Sequence, residues 1–136
     1  MAQPAFEEIV ETFEFLDDWE DRYREVIDMG RRMPPMAEAL KVPATKVDGC
    51  ASQVWIAPRT EGGVLEFEGD SDAMIVKGLI AVLHALYAGL PLSEAVQVDA
   101  KAELGRLNLA DHLSSQRSNG LKAMIARLEG ISRQAA

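Results

Sequence analysis

The single cysteine of the chain, Cys50, has the clearest capacity for covalent chemistry. It lies in the segment VDGCASQVW, residues 47–55, between Gly49 and the small residues Ala51 and Ser52. Small neighbours leave room for another protein's backbone, which favours a loop with a reactive thiol. One cysteine can form neither an internal disulfide nor a thiolate-rich zinc site, and it cannot alone hold an iron–sulfur cluster. A functional Cys50 therefore acts alone or with the thiol of a second protein.

A cysteine nucleophile in a self-sufficient enzyme needs a histidine base, and the chain has two histidines. His84 lies in the most apolar segment, which indicates a core residue, whereas nothing in the sequence restricts the surroundings of His112. The sequence contains neither a glycine-flanked nucleophile elbow nor a two-cysteine redox pair. We therefore do not expect an enzyme that works alone. The alternative of an inert, packed cysteine stays open.

Length and charge restrict the class of protein. The 136 residues suit one domain, 1–136, and they include no apolar run of transmembrane length and no secretory signal pattern, so we expect a cytoplasmic protein. The formal net charge of −8 argues against nucleic-acid and anionic-membrane surfaces. Residues 1–28 carry ten acidic residues against two arginines, and the rest of the chain is balanced. These acids form either a solvated helical face or a docking face for a basic partner.

Two amphipathic patterns predict helices at the N-terminus. The first follows Pro4, which suits a first helical turn, and its apolar stripe comprises Phe6, Ile9, Val10 and Phe13. The second begins at Asp17 or Asp18 as cap and stops before Pro34 and Pro35. Its stripe comprises Trp19, Tyr23, Val26 and Ile27.

The middle of the chain predicts a β-hairpin. The runs SQVWIAPR and GVLEFEGD are rich in β-formers and are separated by the turn-forming TEGG. In the second run Leu65 and Phe67 alternate with Glu66 and Glu68, so one face of the sheet needs a cover of helices.

The second half predicts helices that supply this cover. Residues 74–87 are apolar nearly all round, as in a buried helix, with Asp70 or Ser71 as cap. We expect a short helical piece over 93–96, an irregular stretch to Leu113, and a last helix whose stripe comprises Leu121, Met124, Ile125 and Leu128. Segregated strands and helices indicate the α+β class: a small antiparallel sheet with helices packed on one face.

Four segments, in this order, carry a resemblance to a known family: FEFLDDWEDRYREVIDMGRRMP, VDGCASQVWI, FEGDSDAMIVKGLIAVLHALYAGL and DHLSSQRSNGLKAMI. Together they resemble the SufE family of sulfur acceptors over nearly the whole chain. The resemblance implies a SufE/IscU-like fold, and a protein that takes sulfane sulfur from a cysteine desulfurase of the SufS or CsdA type and stimulates that enzyme. It implies delivery to an iron–sulfur scaffold complex of the SufBCD type. The pyridoxal phosphate (PLP) belongs to the desulfurase, so we expect no cofactor in this chain. We also expect no metal and no enzymatic activity of its own, and a monomer or homodimer.

The resemblance also assigns candidate site residues. Cys50 matches the persulfide-forming cysteine, and Asp72 and Arg117 match positions near that cysteine or at the partner interface. His112 and Gln53 fall in similarly matched segments.

The sequence departs from the family pattern at two positions, where Ser115 replaces a usual proline and Asn108 a common glycine. We expect these departures to bear on the local loop geometry and not on the thiol chemistry.

The supporting residues have alternative roles. The Arg117 guanidinium can stabilise a thiolate or persulfide anion, or it can donate to loop carbonyls ahead of the last helix. Asp72 can restrain the Cys50 loop, or it can act only through the dipole of a first helical turn. We expect Val47, Val54 and Trp55 to line an apolar recess that guards the thiol.

Two functions of different classes remain open. In the first the chain is a persulfide carrier that activates a desulfurase. In the second it is a non-catalytic adaptor whose acidic N-terminal helices bind a partner while Cys50 only packs.

Overall fold

The computed structural model describes residues 2–135, which form an α+β fold with six α-helices and a three-stranded antiparallel sheet in the order β1-β2-β3. The elements, in chain order, are α1 (Pro4–Phe15), α2 (Trp19–Arg32), β1 (Val54–Arg59), β2 (Val64–Ser71), α3 (Met74–Tyr87), β3 (Leu90–Pro91), α4 (Leu92–Ala95), α5 (Ala100–Gly105) and α6 (Ser115–Ala135). The predicted fold class is confirmed.

The two N-terminal helices form where the apolar periodicity predicts them. Pro4 occupies the first turn of α1, and the predicted stripe of that helix is buried. The Asp18 side chain caps α2 by accepting the Glu20 N–H at 3.0 Å. In α2 only Val26 of the predicted stripe is fully buried, while the bulkier residues pack against the edge of the core. Part of α2 therefore remains available at the surface.

The predicted hairpin is present, with Val54 paired to Ser71 and Arg59 to Glu66. The turn between its strands contains Gly62 at a φ of 71°, a left-handed conformation that glycine adopts without steric cost. From Val64 to Gly69 half-buried and buried residues alternate in β2, as predicted, and the last two residues of the strand are both buried. The sequence did not reveal β3, because a two-residue strand is too short for a periodic pattern.

Helix α3 lies at the centre of the core, with ten buried residues between Ile75 and Tyr87. Two expectations about it are wrong. His84 is exposed and packs edge-to-face with the Phe67 ring at a centroid distance of 5.2 Å, because one side of α3 reaches the surface there. The N-cap is Ala73, whose N–H donates to the Ser71 hydroxyl at 3.2 Å, so neither Asp70 nor Ser71 occupies the cap position.

The expected irregular stretch before Leu113 contains α5 and a 3-10 turn over Ala110–His112. The Asp99 side chain caps α5 by accepting the Ala102 N–H at 3.1 Å, and Leu104 anchors the helix in the core. A six-residue helix is too short for a clear amphipathic pattern, so the prediction missed it.

A buried carboxylate, Asp70, fastens the segment after α2 to the end of β2. It accepts the Met36 N–H at 3.4 Å and the Ser71 N–H at 2.8 Å. Lys41 lies 3.2 Å and Lys77 3.5 Å from its oxygens. Burial alone would raise the pKa of Asp70, but the Ser71 hydrogen bond and the two lysines outweigh it and lower the pKa. The carboxylate is therefore stabilised in its ionised form in the folded protein.

We expect Asp70→Asn to lower the free energy of unfolding at neutral pH by about 2 kcal/mol, since two half-buried lysines lose their counter-charge. A lowered folded pKa gives stability that is full above the unfolded aspartate value of about 3.9 and is lost as the pH falls through the folded pKa. The difference in the free energy of unfolding between wild type and Asp70→Asn should therefore become smaller as the pH falls. Urea unfolding at several pH values measures it, with the exposed Asp17→Asn as control. A difference that stayed constant down to acidic pH would contradict the stabilising role of the ionised Asp70 carboxylate.

Candidate functional site

Cys50 lies in the loop that leads into β1, and the two ends of this loop are joined by a hydrogen bond. The loop is fastened at its base by the Val47 N–H, which donates to the Val54 carbonyl at 2.9 Å. Gly49 has a φ of 91°, and this left-handed conformation turns the chain just before the cysteine. The thiol is half-buried and donates weakly to the Gly120 carbonyl of α6, with an Sγ–O distance of 3.7 Å. The loop therefore holds the thiol against the last helix.

The thiol opens into a recess of about 260 Å³ between the loop, α3 and α6. Its apolar wall comes from Val76, Leu79, Leu121 and Met124. The prediction that Val47, Val54 and Trp55 line this recess is wrong. The pleat of β1 directs Val54 into the core and Trp55 to the opposite face, where the Lys41 ammonium lies 5.1 Å from the ring centroid.

Because Gly120 has no side chain, the Cys50 loop packs directly against α6 at this position. A Cβ atom added at Gly120 would lie 3.5 Å from Sγ and 3.8 Å from Cβ of Cys50, so a side chain longer than alanine would enter the space of the thiol. Gly120 is not among the predicted site residues, although a glycine directly before the apolar stripe of a helix is a usable signal of close approach.

Arg127, which is also not among the predicted site residues, fastens α6 to the chain ahead of the loop. The Arg127 guanidinium donates to the Ala44 carbonyl at 2.5 Å and to the Lys46 carbonyl at 3.3 Å. These hydrogen bonds hold residues 44–46, which lead into the Cys50 loop, to α6, the helix that also lines the recess.

Burial raises the pKa of the Cys50 thiol, and the negative charge of the nearby Asp48 raises it further. Both effects favour the neutral thiol at neutral pH. The thiolate is the nucleophilic form, so the free protein holds Cys50 in its less reactive state.

Asp72 fixes the end of the Cys50 loop through the backbone of Gln53. Its Oδ1 accepts the Gln53 N–H at 3.0 Å, and its own N–H donates to the Gln53 carbonyl at 3.3 Å. The Ser71 hydroxyl donates to the same carbonyl at 2.7 Å. Asp72 precedes the Ala73 cap, so it lies outside the first turn of α3. Of the two alternative roles of Asp72, the structure shows the contact with the Cys50 loop and not a place in the first helical turn.

Arg117 lies in the first turn of α6 and lines the recess together with Cys50. Its Nη1 donates to the Tyr23 hydroxyl of α2 at 2.9 Å, and its backbone N–H donates to the Ser114 hydroxyl at 3.3 Å. Among the described residues the guanidinium donates to the Tyr23 hydroxyl, and the contacts with loop carbonyls expected in its alternative role are not seen. Tyr23 was predicted only as part of an apolar stripe, and its polar contact is a finding of the structure.

His112 is exposed and is not part of the recess wall. Its ring stacks on Trp19 of α2, with a centroid distance of 4.1 Å and an interplanar angle of 17°. The structure therefore brings Cys50 and Arg117 to one recess, places Asp72 at the loop's end, and leaves His112 on the neighbouring surface.

The two departures from the family pattern have local explanations. Ser115 is the first residue of α6, where a proline would also fit. Asn108 has a φ of 54°, the left-handed conformation that favours glycine and that asparagine tolerates better than most residues. Both positions retain the backbone geometry that the usual residue favours.

No group of three or more histidine, cysteine, aspartate or glutamate side chains suited to a metal ion occurs within residues 2–135. Over the same part of the chain, no helix is both long and apolar enough to cross a membrane.

Known proteins similar to this chain support the fold and the family. A family model described as "SufE: Fe-S metabolism associated domain" matches residues 7–132. An uncharacterized SufE-like protein of Rhizobium etli is 48% identical over 128 residues, which is 91% of this chain and 86% of the relative. One from Rhizobium meliloti is 46% identical over 129 residues, 92% of each chain. A hypothetical protein from Thermus thermophilus, solved in solution, has the same fold, with a TM-score of 0.79, 22% identity, and coverage of 99% of this chain and 98% of that one.

Proposed function

The chain belongs to the SufE family, whose domain is associated with iron–sulfur metabolism, and on that premise we propose that it accepts sulfur on Cys50 as a persulfide. The donor is a PLP-dependent cysteine desulfurase of the SufS or CsdA type. The carrier stimulates that enzyme by removing its sulfur, and it delivers the sulfur to an iron–sulfur scaffold complex of the SufBCD type.

One observation carries the proposal: the only thiol of the chain opens into a recess that it shares with an arginine. A sulfur carrier needs a single nucleophilic sulfur, because the donor enzyme provides the second. A guanidinium stays charged at physiological pH and can stabilise a thiolate or a persulfide anion. The half-buried position of the thiol, against an apolar wall from α3 and α6, limits the access of competing thiols.

The transfer is a thiol–persulfide exchange. The Cys50 sulfur, as thiolate, attacks the terminal sulfur of the donor's R–S–SH group along the axis of the S–S bond. That bond breaks as the Cys50–sulfur bond forms, so R–S⁻ leaves and takes up the proton that Cys50 lost. The products are R–SH and the Cys50 persulfide. The donor sulfur is reduced as Cys50 is oxidised, so no external redox agent enters the balance.

The other candidate residues act around this step. Asp72 restrains the loop through Gln53 so that the thiol returns to the recess after transfer. His112, exposed beside Trp19, belongs to the surface on which the desulfurase docks. The carrier itself needs no cofactor and acts as an accessory protein, a monomer or homodimer, rather than as an independent enzyme. The cytoplasmic location stays a prediction.

Intact-mass measurement after incubation with a cysteine desulfurase and free cysteine tests the proposal. A carrier gains one sulfur atom, removable by a reducing thiol and located on Cys50 by peptide mapping. A protein that binds the desulfurase and never gains sulfur would be the adaptor of the alternative hypothesis.

We expect alkylation of Cys50 to be about tenfold or more slower in the folded protein than in the urea-unfolded chain, because burial raises its pKa and limits access. A desulfurase whose nucleophilic cysteine is replaced should accelerate the reaction, since docking must favour an exposed loop through differential contacts. A small neutral reagent measures both rates, and hydrogen exchange over residues 47–54 controls for steric blocking by the partner. Equal rates in folded and unfolded protein would contradict the guarded thiol.

A further inference from the structure

Side chains of α2 contact both ends of the segment 112–117 that leads into α6. At one end the His112 ring stacks on Trp19, and at the other the Arg117 guanidinium donates to the Tyr23 hydroxyl. Tyr23 is half-buried and packs edge-to-face with Trp19, at a centroid distance of 6.4 Å and an interplanar angle of 71°. The two aromatic residues therefore pack together under the segment 112–117, and the Tyr23 hydroxyl is the polar group that contacts it.

The partner of Arg117 is neutral, which preserves the positive charge. Within residues 2–135 no carboxylate lies within 4 Å of this guanidinium, whereas Arg106 contacts two glutamates and Arg32 one. A carboxylate would neutralise the charge, but a phenol hydroxyl accepts one hydrogen bond and leaves it in place. The hydrogen bond also removes rotamers from a long side chain that is otherwise exposed.

We propose that Tyr23 is a positioning residue for sulfur transfer: its hydroxyl holds the Arg117 guanidinium at the Cys50 recess, where the charge stabilises sulfur anions. This inference rests on the proposed function for its biological meaning, and its geometric content can be tested without the desulfurase. Tyr23 acts through Arg117 and does not contact the reacting sulfur.

The test compares two reagents of similar size that alkylate Cys50, the anionic iodoacetate and the neutral iodoacetamide. The ratio of their rate constants reports the charge at the thiol and cancels changes in accessibility and thiolate fraction. Loss of one hydrogen bond to a charged group should lower the iodoacetate-to-iodoacetamide ratio by about threefold to tenfold in Tyr23→Phe. Tyr87→Phe is the matched control, because it removes the hydroxyl of the only other tyrosine, which is buried in the core and has no hydrogen-bond partner within residues 2–135.

A double-mutant cycle with Arg117→Ala assigns the effect to the pair. Arg117→Ala should lower the ratio at least as much as Tyr23→Phe, and adding Tyr23→Phe to it should change nothing further. Higher ionic strength should reduce the wild-type ratio and leave that of Arg117→Ala nearly unchanged. A wild-type ratio in Tyr23→Phe, a ratio indifferent to Arg117→Ala, or an equal fall in Tyr87→Phe would overturn the inference.

Sulfur transfer from a desulfurase separates this inference from the proposed function. We expect Tyr23→Phe to accept sulfur several-fold more slowly than wild type, with an unchanged melting temperature. If wild type accepts no sulfur while the alkylation ratio falls as expected, the proposed function is wrong and the positioning of Arg117 by Tyr23 stands. If wild type accepts sulfur and Tyr23→Phe does so at the same rate, the positioning role is wrong.

Discussion

Replacing Cys50 by serine is expected to abolish sulfur acceptance and to leave the fold intact. A serine hydroxyl is not ionised near neutral pH and cannot hold sulfane sulfur as a stable group, so neither attack nor storage is possible. The structural cost is small, because the thiol lies half-buried in a loop and the one hydrogen bond that it makes within residues 2–135 is long, at 3.7 Å. The fall in acceptance should reach the detection limit of the mass measurement.

Three measurements on Cys50→Ser make this result interpretable. Intact mass after incubation with desulfurase and cysteine gives acceptance, and a thermal melt verifies the fold. Binding to the desulfurase should largely survive, since one small side chain at the recess changes while the surrounding surface does not. A Cys50→Ser protein that stimulated cysteine turnover as wild type does would show that activation bypasses the thiol.

Replacing Gly78 by alanine is expected to cause the largest loss of stability among single methyl additions. Gly78 lies in α3 where that helix crosses α2, and an added Cβ would overlap the backbone carbonyl of Val26 and lie 2.6 Å from its Cγ1. The facing residue Gly30 is also tightly packed, since a Cβ added there would lie 2.7 Å from the Gly78 nitrogen. Backbone cannot yield as a side-chain tip does, so the two helices must separate. We expect a loss of about 3 kcal/mol in the free energy of unfolding.

Gly130→Ala in α6 is the matched control for Gly78→Ala. It also adds one methyl group inside a helix, but apart from its chain neighbours and the adjacent backbone of α6 no atom within residues 2–135 lies within 4 Å of the added Cβ. Alanine loses less conformational freedom than glycine on helix formation, so this variant should gain about 0.5–1 kcal/mol. Urea unfolding gives both values. Effects of the same sign and size would mean that the α2–α3 contact is looser than the structure shows.

The amino-acid sequence by itself determined the faces of the regular elements. The stripe of α1 is buried as predicted, and the alternation of Leu65 and Phe67 with glutamates determined which side of the hairpin faces the helices. These signals are local, because burial of one face imposes a period of 3.6 on a helix and of 2 on a strand. The four matching segments further identified the family, and they singled out Cys50 as the candidate sulfur-accepting residue. Short elements such as β3 and α5 contain too few residues to show either period.

Only the tertiary structure decided what surrounds the thiol. Cys50 and Gly120 are 70 residues apart, and Tyr23 and Arg117 are 94 apart, so no local period relates the members of either pair. Their contacts depend on where α6 crosses the Cys50 loop and the exposed edge of α2. The packing of the entire core determines those crossings. For the same reason the apolar wall of the recess comes from α3 and α6 rather than from Val54 and Trp55, since the pleat of β1 directs one of these side chains into the core and the other to the opposite face of the sheet.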